Sequence, residues 1–127
     1  MRAWTAGGLD VVGVVAFVAI GRASHGESGG VAELAGTAWP FLAALAVGWA
    51  VLRAWRRPAE PAPIGLGVWG ITLAGGMVLR ALSGGGVAVS FVIVAGIFLA
   101  LALIGWRAVV QLAERHGAAG RREHGRA

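Results

Sequence analysis

The chain has 127 residues, of which 57% are hydrophobic and only 13% charged, with a formal net charge of +5 carried by eleven arginines against six acids. Soluble domains run near a quarter charged, so an ordinary soluble domain is excluded, and the absence of cysteine excludes disulfides, thiolate chemistry and Cys-ligated metal. The basic balance does not indicate a nucleic-acid partner, because nine of the eleven arginines lie at or beyond the ends of apolar segments, where membrane topology places them.

Four apolar segments follow one another, at about 4–20, 37–54, 64–82 and 87–110. Each is near the twenty residues that cross a hydrocarbon core of about 30 Å. Backbone polar groups in lipid must satisfy one another, so the segments are helices and the expected fold is an all-α integral membrane bundle of four transmembrane helices. Residues 1–116 form one domain in this reading. The first segment is short, roughly 26 Å as a helix, and contains Asp10. A cleavable signal sequence is the competing reading of this N-terminus, but Asp10 and the Gly7-Gly8 pair interrupt its pattern.

The first segment ends at Gly21-Arg22-Ala23-Ser24-His25-Gly26, and a connection with Glu27 and Glu33 leads to Trp39-Pro40. That proline is expected in the first turn of the second helix. Pro58, Pro61 and Pro63 make 53–63 a stiff linker, and Ser83-Gly84-Gly85-Gly86 a tight turn between the third and fourth helices. From about Gly117 onward the chain reads as a disordered basic cytoplasmic tail, with anionic lipid headgroups as its partner.

Orientation follows from the arginines. With the N-terminus inside, nine are cytoplasmic and only Arg22 and Arg80 are outside, which argues for both termini cytoplasmic in a multi-pass protein of the cell membrane. Trp4, Trp55, Trp69 and Trp106 fall near the inner boundary and Trp39 near the outer one. Phe41…Gly48-Trp49 and Phe98…Gly105-Trp106 repeat at a fixed offset of 57, and Arg22 and Arg80 at 58. This spacing suggests two tandem two-helix hairpins in parallel orientation, related by an axis along the membrane normal.

The outer arginines are the main functional candidates. Either one alone can snorkel to headgroups and suits a helix C-terminus. Together, at equivalent repeat positions, they suggest an outer mouth that binds an anion, with Ser24, His25 and Ser90 as further polar groups. Trp69, Thr72, Gly76 and Arg80 fall within about 60° of one face of the third helix, so this polar, small-residue stripe is expected to face protein or water. Thr72 is expected either to bond back to its own helix or to serve the site. Asp10, the acid inside an apolar segment, is read as a first-turn residue, an ion or proton site, or the partner of Arg53 or Arg107 from neighbouring helices. His25 has no second ligand at metal spacing, and no catalytic motif occurs. The sequence points to no metal, no enzymatic activity and no identified cofactor.

Gly-Arg-x-Ser-His-Gly at 21–26, Thr-Ala-Trp-Pro-Phe at 37–41, Trp69-x-x-Thr72, Gly76-Met77-x-Leu79-Arg80, Ser90-Phe91-Val92 and Gly105-Trp106-Arg107 resemble the domain of unknown function 3054 family. The resemblance runs from Asp10 to Arg107 and implies a small four-helix membrane protein of actinobacterial or haloarchaeal type, without implying an activity. Small-residue pairs, Ala44/Gly48, Gly70/Ala74 and Gly96/Ala100, predict close helix packing and a homo-oligomer, most simply a dimer. The functional expectations are three. The first is a small channel or transporter for an anion or small acidic solute. The others are a non-transporting accessory or assembly protein, and a lipid- or apolar-cofactor-binding protein.

Overall fold

An apolar run persists in hydrocarbon only if its own peptide groups bond one another, which a helix achieves within a single segment. The computed structural model describes residues 2–24 and 30–126, and the regular elements among them are all helical. Helix α1 spans Ala3–Ser24, α2 Val31–Leu52, α3 Leu66–Leu82 and α4 Val89–Leu99. A π-helical turn, Ala100–Ile104, carries α4 into α5, Gly105–Arg126. Four stretches, Ala3–Ala23, Val31–Leu52, Pro61–Leu82 and Val89–Gly117, are long and apolar enough to cross a membrane. They suggest a multi-pass membrane protein in a lipid bilayer.

Several helix ends differ from the sequence expectation. Helix α2 starts at Val31, not 37, with Glu33 in its first turn, where a carboxylate suits the positive end of the helix dipole. Pro40 therefore lies inside the helix and not in its first turn. It has no N–H for the Gly36 carbonyl, and Gly36 is exposed, where water or a headgroup can serve instead. Arg53 ends α2 in the left-handed region (φ 50°, ψ 50°), its N–H directed at the carbonyls of Ala50 and Trp49. Ala54–Arg56 is a 3₁₀ turn, and Pro61–Gly65 a wide turn with extended Ala62 and a cis Ala62–Pro63 bond. The tail expected to be disordered from Gly117 continues as helix to Arg126. Each residue added to an existing helix gains a hydrogen bond without a new nucleus, and Ala118, Ala119, Arg121, Arg122 and Glu123 are mostly strong helix formers.

Helices α2 and α3 make the closest pair, because small residues meet there. A Cβ on Gly75 would come 2.9 Å from the Ala44 Cβ, one on Gly67 would come 2.6 Å from Leu52 Cδ1, and one on Gly76 would collide with the Phe41 ring. Gly48 sits 3.4 Å from the Ile71 side chain by the same construction. The pair Gly70/Ala74 behaves differently from expectation: Gly70 meets nothing within 4 Å and Ala74 is exposed, so it takes no part in packing within the chain. At mid-bundle Phe17 is the hub of an aromatic layer, 5.5 Å from Phe41 and 5.6 Å from Phe98, centroid to centroid.

Ala95, Leu99, Leu103 and Arg107 are all fully buried, although residues four apart drift about 40° per step around a regular helix. The wide turn at Ala100–Ile104 reclaims part of that drift, since its i→i−5 bonds place more residues in each turn. It keeps Arg107 on the inward line.

Candidate functional site

The helices bring polar groups together at two opposite ends of the bundle. One end gathers Arg22 from the last turn of α1, Thr37 from α2, Arg80 from the last turn of α3 and Ser90 from α4 around one cavity of about 490 Å³. Arg22 Nη1 donates to Thr37 Oγ1 at 2.8 Å, and that hydroxyl donates to the Glu33 carbonyl at 3.2 Å. Arg80 is held from several sides. Its Nε donates to the Gly86 carbonyl at 2.7 Å and its guanidinium lies over the Phe91 ring at 4.6 Å.

The glycine turn is shaped around that arginine. The Arg80 carbonyl accepts from the Gly85 N–H at 2.8 Å and from Ser83 Oγ at 3.0 Å. Gly84 has φ +91°, a conformation that glycine adopts without steric cost. A Cβ on Gly85 would lie 2.5 Å from Arg80 Cγ. The sequence identifies 83–86 only as a turn; its second role, fixing the arginine, shows only once the side chain is placed. Both guanidinium groups are thus presented to the same space, with Ser90 on its edge. Ser24 ends α1, but its side chain and all of His25 lie outside the described residues, so their expected place at the mouth is not part of this geometry.

The opposite end contains a buried ion pair. Asp10 and Arg107 are both 0% exposed. Arg107 Nη1 donates to Asp10 Oδ1 at 2.8 Å and Nη2 to Oδ2 at 2.7 Å, a bidentate pairing. Trp106 Nε1 donates to Oδ1 and Trp49 Nε1 to Oδ2, each at 2.8 Å. Every carboxylate oxygen therefore accepts two bonds. Arg107 further donates through Nε to the Pro58 carbonyl at 2.9 Å and through Nη1 to the Leu103 carbonyl at 2.7 Å, with its guanidinium 4.4 Å from the Trp106 ring centre. Gly65 leaves the space for this side chain, since a Cβ there would come 2.8 Å from Arg107 Cδ.

A buried charge is stable only when paired and hydrogen-bonded, and this cluster meets both conditions with groups from α1, α2, α5 and the proline linker. Of the two arginines the sequence offers Asp10, Arg107 takes the role and Arg53 does not. Arg53 is exposed at the left-handed end of α2. Trp106, expected as a boundary anchor, turns inward with Trp49, whereas Trp4, Trp39 and Trp55 are exposed.

The stripe on α3 faces protein, with Trp69 donating to the Gly96 carbonyl on α4 at 2.9 Å, and with Thr72 and Gly76 buried. Thr72 does not bond back to its helix: among the described residues its Oγ1 has no hydrogen-bond partner. Among those residues no group of three or more His, Asp or Glu is arranged to hold a metal ion. In comparisons with known proteins, the model of a family described as "Protein of unknown function (DUF3054)" matches residues 8–110. No curated protein and no solved structure matches the chain.

Proposed function

The chain belongs to the DUF3054 family, and from that starting point we propose that it is a small, non-enzymatic transporter or channel that takes an anion or small acidic solute through the Arg22–Arg80 mouth. The observation that carries this reading is the convergence of Arg22, Arg80, Thr37 and Ser90 on one cavity. Two guanidinium groups in a largely apolar recess favour carboxylate or phosphate as ligands. In this reading the mouth is extracellular, both termini are cytoplasmic, and α1–α2 and α3–α5 are two tandem hairpins in parallel orientation. Support for the tandem arrangement is that Trp49 and Trp106, equivalent in the sequence repeat, both donate to Asp10, while Phe41 and Phe98 both flank Phe17.

In this reading the described arrangement corresponds to a closed state of the carrier. The phenylalanine layer seals the floor of the mouth and the Asp10–Arg107 cluster seals the far end, so passage requires both layers to part. A dimer through the Gly70/Ala74 face completes the assembly, and the basic end of α5 rests on anionic headgroups.

Purified protein in phosphatidylcholine liposomes tests the proposal. Wild type should pass phosphate, chloride or a small carboxylate, and Arg22→Ala with Arg80→Ala should abolish the flux. Undiminished flux in the double variant refutes the mouth. A wild-type protein that passes none of these solutes refutes transport and favours a non-transporting accessory role.

A further inference from the structure

The mouth is built for more than an anionic group. Beneath the arginines its wall is Phe17, Val18, Phe41 and Phe91, and Phe17, Val18 and Phe41 are almost fully buried. The rings lean on one another, Phe17 and Phe41 each within 6.4 Å of Phe91. On the flank of α4 the cavity reaches Val94, which is 61% exposed, so the recess opens sideways where a spanning helix meets lipid. A bare anion held by the guanidinium groups would leave the accessible faces of Phe91 and Val94 without a partner. An apolar chain attached to the anion would cover them and gain the free energy of that burial. A cavity of about 490 Å³ is also in the range that encloses a ligand much larger than an inorganic ion.

We infer that the mouth binds an anionic amphiphile, with a phosphate or carboxylate head between Arg22 and Arg80 and an apolar chain along Phe91 and Val94. The inference rests on the reading of the arginines as an anion-binding mouth and adds the class of ligand. Head and chain are recognised separately. The head meets charges already fixed in direction by Thr37, by the Gly86 carbonyl and by the Phe91 ring, so little ordering is needed on binding. The chain enters through the open flank, which allows the amphiphile to arrive from within the leaflet.

Titration of the protein in phosphatidylcholine nanodiscs, against empty discs, separates the parts. Octyl phosphate should bind on the order of 100-fold more tightly than inorganic phosphate, as expected when about four methylenes leave water. Arg22→Gln with Arg80→Gln should lower octyl phosphate to the level of octanol. Val94→Ser, at an exposed position where folding is not at stake, should weaken octyl phosphate severalfold and leave inorganic phosphate unchanged. If inorganic phosphate binds as tightly as octyl phosphate, the amphiphile is wrong and the anion mouth stands. If octanol binds as tightly and the arginine variants change nothing, both are wrong. Phosphatidic acid built into the discs then distinguishes the source. Displacement of octyl phosphate by it identifies a membrane lipid as the occupant, and undisturbed binding identifies a soluble amphiphile; either result supports a ligand with head and chain.

Discussion

Replacing Asp10 with asparagine tests the buried cluster most directly. The side chain keeps its shape, but one of its two acceptor atoms becomes a donor. Whichever way the amide turns, that donor faces an indole N–H and an arginine N–H, because each carboxylate oxygen accepts one of each. Two of four hydrogen bonds are lost and the Arg107 guanidinium, 0% exposed, keeps its charge without a counter-ion. Removing one partner of a buried pair costs about 3–5 kcal/mol, or roughly a 100- to 4,000-fold shift in the folding equilibrium. Unfolding in mixed micelles with increasing dodecyl sulfate, followed by circular dichroism, should show this loss. The apolar double variant Asp10→Leu with Arg107→Met removes both charges and leaves chiefly two indole N–H groups unsatisfied, at about 1–3 kcal/mol each. Its total loss should therefore be of the same size as that of Asp10→Asn alone, and its deviation from the sum of the two single changes should exceed about 2 kcal/mol. Asp10→Asn within about 0.5 kcal/mol of wild type, or strict additivity in the double variant, would refute the pairing as the element that closes this end.

Trp49→Phe and Trp106→Phe each remove one donor to the same carboxylate and should each cost about 1.5–3 kcal/mol in the same unfolding assay, with Arg53→Ala as an unchanged control. Gly76→Ala should destabilise by about 1–3 kcal/mol through overpacking against Phe41, visible as a lower melting temperature in detergent. Gly85→Ala should leave the melting temperature near wild type while weakening anion binding at the mouth, since its Cβ displaces the Arg80 stem and not the core.

The membrane-spanning segments were legible because charge is absent from long runs and gathered between them, a signal that needs no tertiary knowledge. Asp10 stood out for the same reason, as an acid within such a run, and its pairing with either Arg53 or Arg107 could be named from helix ends. The choice between the two could not, because it depends on a wide turn at Ala100–Ile104 and a left-handed Arg53, neither of which has a distinctive local sequence. The repeat of Gly-Trp at 48–49 and 105–106 was visible, but not that both indoles serve one carboxylate. Pro40 misled for a physical reason: a proline after a tryptophan marks a first turn in isolation, whereas here Glu33 and its apolar neighbours extend the helix upstream of it. Gly84 to Gly86 gave a turn and concealed a clamp, since a glycine records what must be absent and not which side chain fills the space.

The position of the ion pair along the chain also bears on how the protein is made. Arg107 follows Asp10 by 97 residues, and at about 5–20 residues per second of synthesis the acid is made roughly 5–20 s before its cation exists. A chain that ends before α5 lacks both Arg107 and Trp106 and leaves the Asp10 carboxylate with Trp49 as its remaining donor in this cluster and no counter-ion, so closure of this end of the bundle waits for the last helix.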